Sequence, residues 1–158
     1  GTDPYNPKIV LSDFGFAKKF SAGQLGDERC GTYEFMAPEM LKGTTPYANS
    51  IDIWSLGISL YFLLSAKLPF NCPNGLASKS ITEIILGQIN FNILYDLQIS
   101  EDAIYLIKRM CITKPSCRIS AEESLRDGWF ACNAKKNNDS VISSSILEGE
   151  EYIFDECF

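Results

Sequence analysis

The chain has 158 residues, 46% of them apolar and 22% charged, enough for one domain with its own core and too apolar for wholesale disorder. It holds no histidine, which excludes Ser-His-Asp, Cys-His and histidine-metal mechanisms within these residues. A net charge of −6 does not suit a nucleic-acid surface, and six cysteines without a C-x-x-C pair give no zinc or thioredoxin-type spacing.

Residues 1–7 are rich in turn formers and predict a loop. Residues 8–12, with Ile9, Val10 and Leu11 at their centre, predict a short strand that delivers Asp13 at its end. Residues 16–36 show no sustained period and include Gly23, Gly26 and Gly31, a composition that suits a mobile segment. Asn49 and Ser50 then stand where they could cap a helix over residues 51 to about 65. That helix is apolar nearly all round (Ile51, Ile53, Trp54, Leu56, Ile58, Leu60), which predicts burial on every side. It is shorter than the ~20 residues needed to span a bilayer and is interrupted by Asp52, Ser55, Gly57 and Ser59. A core helix is therefore expected, with no membrane partner.

Three further helices are predicted. Residues 80–86 open with Ser80 and Glu83 in capping-box spacing. Residues 100–111 carry Glu101 and Asp102 in the first turn, where the helix dipole favours acids, and present Ala103, Ile104, Leu106, Ile107 and Met110 as one apolar side. A second capping box, Ser120 with Glu123, starts a last helix running toward Trp129 and Phe130. There is no internal repeat. From residue 133 the chain turns polar, then acidic and aromatic, with Asp139, Glu148, Glu150, Glu151, Asp155 and Glu156 outweighing Lys135 and Lys136. Residues 133–158 are expected to form a disordered acidic tail, leaving residues 1–132 as the structured body.

Asp13-Phe14-Gly15 by itself reads as a turn, Asp and Gly supplying the geometry. Its context adds four separated matches: Cys30 through Glu39, ending in Ala37-Pro38-Glu39; Asp52 through Gly57; Leu68-Pro69-Phe70; and Lys114 through Arg118. In this order, over residues 8–130, the motifs resemble the eukaryotic serine/threonine protein kinase family, with Asp13 and Glu39 bracketing its activation segment. Phe14 through Lys18, the helix from Ser100 and the spacing to Arg118 are most similar to the calcium/calmodulin-dependent group. The acidic tail does not resemble the basic calmodulin-binding helix that often follows in that group. The resemblance implies a mainly α fold, a kinase C-terminal lobe whose parent fold is α+β. The N-terminal lobe and the catalytic loop are not among these residues.

What the resemblance implies for individual residues is specific. Asp13 would bind the Mg²⁺ that bridges the β- and γ-phosphates of ATP, a task for a hard anionic oxygen. Gly15 would let the backbone swing and Phe14 would pack to set the active or inactive state. Thr32, after Gly31, would favour serine or threonine substrates; its plain alternative is a turn residue. Tyr33 and Phe35 depart from the commoner Pro and Tyr of this segment, so the substrate fit differs there. Glu28 stands two residues before Cys30, where many relatives carry a phosphorylatable threonine. It reads either as a permanent charge in place of a phosphate or as an ordinary exposed acid, while Ser21 is a possible phosphosite. Glu39 and Arg118 are expected to form a buried bidentate ion pair. Asp52 would hold backbone amides of the catalytic loop, or simply serve as an acid at a helix N-terminus. Trp54 is expected in the core, and Lys18 and Lys19 in solvent. Arg126 and Asp127 do not make a catalytic loop, because the asparagine required five residues on is Cys132.

The implied reaction is transfer of the γ-phosphoryl group of ATP to a protein serine or threonine. ATP and Mg²⁺ would be the cofactors; a protein substrate and the N-terminal half of the kinase domain would be the partners. Because no catalytic residue of the reaction lies in the chain itself, these 158 residues are expected to be inactive alone and to bind Mg-ATP negligibly. Apolar surface around Phe14, Phe16 and the central helix would then limit solubility. The rival reading is a non-catalytic kinase-like interaction module. With no signal peptide visible, reduced thiols and a cytoplasmic or nuclear location are expected.

Overall fold

The computed structural model describes residues 9–19, 26, 28, 30–43, 48–70 and 78–130, without the side chains of residues 78–80. Among them six α-helices follow in order: α1 (Pro38–Lys42), α2 (Ser50–Ser65), α3 (Ser78–Leu86), α4 (Asn92–Asp96), α5 (Glu101–Met110) and α6 (Ala121–Leu125). A 3-10 turn at Pro115–Cys117 joins the last two. The predicted loop over residues 1–7, Ser21, and the tail expected to be disordered, residues 133–158, lie outside the described residues.

The centre of the molecule is α2. Trp54, Ile58 and Tyr61 are wholly buried on it, and Ile104, Leu106, Ile107 and Met110 of α5 close over them, with Ile84 and Leu94 from α3 and α4. Removing such side chains from water contributes about 1.5–3 kcal/mol each. The crossing of α2 and α5 is close because Gly57 has no side chain: a Cβ there would stand 2.7 Å from Cys111 Sγ and 2.8 Å from Met110 Cβ. Tyr61 crosses the core to donate its hydroxyl to the Asn90 carbonyl at 2.7 Å and meets Phe91 edge-on, 6.3 Å between ring centroids.

Burial of α2 on every side is not observed. Leu56, Phe62 and Leu63 are exposed, Leu63 by 77%. Leu60, on the face of Leu56 by its i+4 spacing, is partly buried and packs against the core. The cap expected at its start is also different. Asn49 already has helical dihedrals (φ −55°, ψ −16°) and no side-chain cap bond. The helix stops at Ala66, which takes a left-handed φ of 53° and returns its amide to the Phe62 carbonyl at 2.7 Å, the usual way to satisfy an orphan acceptor.

Three other expectations change. No strand forms at residues 9–12: Ile9 is 89% exposed, and no neighbouring strand among the described residues satisfies this segment's backbone, the pairing on which a strand depends. Helix α3 begins at Ser78, so Ser80 lies inside it and is not its cap. Helix α4 was invisible to periodicity because five residues are too few to show one. By contrast α5 starts at Ser100, whose hydroxyl accepts the Ala103 amide. In α6 Ser120 and Glu123 form both halves of the capping box.

Candidate functional site

The segment from Asp13 to Glu39 begins in strain and ends in an ion pair. Asp13 has a left-handed φ of 65°, which residues with a Cβ seldom adopt, Asp being one of the more tolerant. A Cβ on Gly15 would stand 3.4 Å from Asp13 Oδ1, an ordinary contact. The chain then turns, with the Ala17 amide donating to the Phe14 carbonyl at 3.1 Å. Asp13, Phe14 and Phe16 are all exposed.

Lys18 follows the turn. Its ammonium pairs with the Glu28 carboxylate. The expectation that Lys18 is merely solvated is thus corrected: a partner ten residues away captures it. Sequence reading missed this because both residues are surface types and no regular spacing pairs them. Cys30 is disulfide-bonded, whereas Cys111 and Cys117 are free; the expectation of reduced thiols fails at Cys30.

At Gly31 the backbone takes φ 111°, a conformation open essentially to glycine. Two successive turns follow, Phe35 N–H to Thr32 carbonyl at 3.0 Å and Met36 N–H to Tyr33 carbonyl at 3.1 Å. They leave the Thr32 and Tyr33 side chains exposed while Met36 through Met40 enter the core. Ser55 of α2 ties this stretch down by donating to the Phe35 carbonyl at 2.9 Å, a contact that no sequence pattern signalled.

Pro38 opens α1 at a position where its missing N–H costs nothing, and Glu39 follows in the first turn. Its two carboxylate oxygens accept from Arg118 Nη1 at 2.7 Å and Nη2 at 2.9 Å. Glu39 is 7% exposed and Arg118 6%. The other guanidinium donors are used as well, Nε on the Ile112 carbonyl at 2.9 Å and Nη1 also on the Ser50 carbonyl at 2.7 Å. The Trp54 ring lies under the guanidinium, 5.3 Å from centroid to Cζ, an attractive cation–π arrangement. One cation therefore holds α1, the start of α2 and the loop before α6 together. Asp52 stands half-buried in the first turn of α2, close in sequence to Ser50 and Trp54.

Burial pushes the Cys111 thiol up to about 12, the Arg118 charge acting weakly against it. Asp127 is 7% exposed. Its Oδ2 accepts from Arg109 Nη1 at 2.9 Å and its Oδ1 from the Trp129 amide at 3.1 Å. A cavity of about 570 Å³ between the end of α2 and α3 is lined by the Leu68-Pro69-Phe70 motif with Lys67, Glu83 and Asn90 among others.

The donor set decides what the site can hold. The exposed Asp13 carboxylate suits one coordination position of a hard divalent cation. Among the described residues no group of three or more His, Cys, Asp or Glu stands where it could hold a metal. Asp13 thus fits a cation shared with further ligands. No helix among the described residues is long and apolar enough to cross a membrane.

Comparison with known proteins agrees with this geometry. Residues 3–130 match the family described as protein kinase domain. The serine/threonine-protein kinase cds1 of Schizosaccharomyces pombe is 36% identical over 151 residues, covering 92% of this chain and 32% of that protein. Human serine/threonine-protein kinase H1 is 34% identical over 157 residues, 94% of this chain and 35% of that protein. Calcium/calmodulin-dependent protein kinase type 1 of Caenorhabditis elegans is 32% identical over 132 residues, 84% of this chain and 37% of that protein. Among solved structures, the Rad53 kinase domain and SCD2 in complex with AMPPNP superposes with a TM-score of 0.54 at 28% identity, over 61% of this chain and 37% of that one. The chain spans about a third of the length of these relatives.

Proposed function

Because the chain belongs to the protein kinase family, its helical body being the C-terminal lobe, we propose that the protein it forms part of phosphorylates protein serine or threonine hydroxyls with ATP. The observation that carries this reading is the segment with Asp13 at its head and the bidentate Glu39–Arg118 pair at its foot. Catalysis of this class is mostly positioning and charge neutralisation, and a segment anchored at a buried ion pair supplies position. When bound, Mg²⁺ neutralises charge on the β- and γ-phosphates.

Within that reaction the residues of this chain divide the work. Asp13 offers one carboxylate oxygen to the nucleotide-bound cation. Thr32, exposed beside Gly31, faces the protein substrate, with Tyr33 shaping the approach. Glu39, Arg118 and Ser55 hold this surface against α2. Asp52 fixes the catalytic loop supplied by the rest of the domain. That remainder also covers the exposed Leu56, Phe62 and Leu63, since apolar surface of this kind is normally buried. Residues 1–158 contain no general base in place, so phosphoryl transfer needs the rest of the domain. The relatives named above, all kinases by name and two of them serine/threonine-protein kinases, favour an enzyme over a non-catalytic module.

The test is phosphotransfer to a serine- or threonine-containing protein by the full-length protein, compared with Asp13→Asn and with residues 1–158 alone. Activity in the first and its loss in the other two is the expected result. Undiminished transfer by Asp13→Asn, or none by the full-length protein, overturns the reading.

A further inference from the structure

We propose that the cavity between the end of α2 and α3 is a peptide-binding site. It takes a segment of a partner protein that carries one large apolar side chain with an acidic residue beside it, and it does not depend on the kinase reading. The cavity holds about 570 Å³, inside the roughly 300–1,000 Å³ range of small-ligand sites. Two of its lining residues are pinned to α2. Ser65 Oγ accepts the Lys67 amide at 3.1 Å, and the Tyr61 hydroxyl donates to the Asn90 carbonyl at 2.7 Å. Tyr61 and Ser65 are both buried on the helix, and their i, i+4 spacing puts them on one face. The backbone of the site is thus held by the core, and a preformed site loses less binding free energy to ordering itself.

The lining sets the chemistry of the occupant. Phe70, itself nearly all buried, and the half-buried Ile93 give the cavity an apolar wall, which suits an aliphatic or aromatic side chain. Gln88 and Asn90 flank Ile89, which packs against the core, and both are exposed and line the cavity. Asn90 Oδ1 accepts the Asn92 amide at 3.1 Å, which leaves Nδ2 to donate to a carbonyl, while the Gln88 carboxamide can both donate and accept. Paired amides of this kind match a peptide backbone, where donor and acceptor recur at every residue. Charge decides the rest. The exposed Lys67 takes part in none of the ion pairs among the described residues, so its ammonium is available to an acid. Glu83 belongs to another wall, on α3, and is half-buried. It disfavours a second acid, which confines the anionic residue of the peptide to the Lys67 side.

The experiment measures fluorescence anisotropy of a labelled, end-blocked peptide of glycine and serine with one leucine and one glutamate beside it, titrated with the full-length protein. Two control peptides replace the glutamate by lysine or the leucine by serine. The protein is compared with Lys67→Glu and Gln88→Ala, both at exposed positions that leave the fold in place. The glutamate peptide should bind the wild type about three- to tenfold more tightly than the lysine peptide, and Lys67→Glu should reverse that order. Loss of the leucine should weaken binding about tenfold or more, and Gln88→Ala should weaken it about two- to tenfold. No binding of the glutamate peptide overturns the site, as does binding that neither Lys67→Glu nor Gln88→Ala alters. N-acetyl-leucine binding as tightly as the peptide overturns a peptide occupant, because the backbone contacts would then contribute nothing. None of these readouts requires phosphotransfer, so an inactive protein counts against the kinase reading and leaves the binding result to decide the site.

Discussion

Arg118 reaches across 79 positions of sequence to meet both oxygens of Glu39, at 2.7 and 2.9 Å, where almost no solvent penetrates. Two buried charges are tolerable only when each finds its full set of partners. Here the carboxylate takes a two-pronged donor, while the guanidinium also serves two backbone carbonyls and rests on Trp54. The family's Ala-Pro-Glu motif is explained by this contact: the proline starts the helix, and the glutamate anchors the segment that precedes it.

Removing Arg118 leaves the Glu39 carboxylate buried and alone. Arg118→Leu should lower stability by about 3–5 kcal/mol, read as a fall in the unfolding midpoint of the full-length protein. The double variant Glu39→Leu/Arg118→Leu should lose less than Arg118→Leu alone, because no charge is stranded. It should not reach wild type, since the Ile112 and Ser50 carbonyls keep no donor. Arg118→Lys should fall between, one ammonium being unable to reproduce the fork. An unaltered midpoint in Arg118→Leu contradicts the buried pair.

Gly57 tests packing on the other side of the same helix. In isolation Ala is the better helix former by roughly 1 kcal/mol. At Gly57 the new methyl would sit 2.7 Å from Cys111 Sγ and 2.8 Å from Met110 Cβ, so α2 and α5 must part. Overpacking of this kind costs about 1–3 kcal/mol, more than the propensity returns. Gly57→Ala should therefore destabilise, and Cys111→Ala should rescue it in part, leaving the Met110 contact. A gain in melting temperature would show that the helices separate freely.

The same two contacts mark how far the sequence could be read. Glu39 with Arg118 was legible because the motif pattern named both residues, and the apolar side of α5 was legible because its period is helical. Lys18 with Glu28 was not, since no regular period relates the two positions. Nor was Asp127, whose charge looks like surface until the fold turns it inward. The all-round apolar pattern of α2 promised complete burial, yet Leu56, Phe62 and Leu63 stay exposed. A pattern records what a helix can bury, not which residues cover it, and that is a property of the whole domain.

Asp127 offers a sharper test of an unforeseen site. Its carboxylate is held by Arg109, itself about a third exposed as a side chain, and by the Trp129 amide. Asp127→Ala removes both bonds, and Asp127→Asn keeps the acceptor for the amide but loses the charge. The alanine variant should cost about 1–3 kcal/mol and the asparagine variant less, read from urea unfolding. Equal losses would mean that the charge matters and the backbone contact does not.

Cys111 links the core to pH. Burial raises its thiol from the ordinary value of 9.0 to about 12, while Arg118 pulls weakly the other way. In the unfolded chain the thiol ionises near its ordinary value, so between about 9 and 12 the folded state keeps a proton that the unfolded state has released. Stability from this group is fully present below pH 9 and falls as pH rises across that window, by up to about 1.4 kcal/mol per unit. Cys111→Ala should flatten the alkaline limb of the stability profile, at the cost of a small cavity beside Gly57. Thiolate is the species that alkylates, so at pH 8 iodoacetamide should label the exposed Cys117 long before Cys111. Comparable labelling of both in the native protein, together with an unchanged alkaline limb in Cys111→Ala, would mean that the thiol is not sealed between α2 and α5.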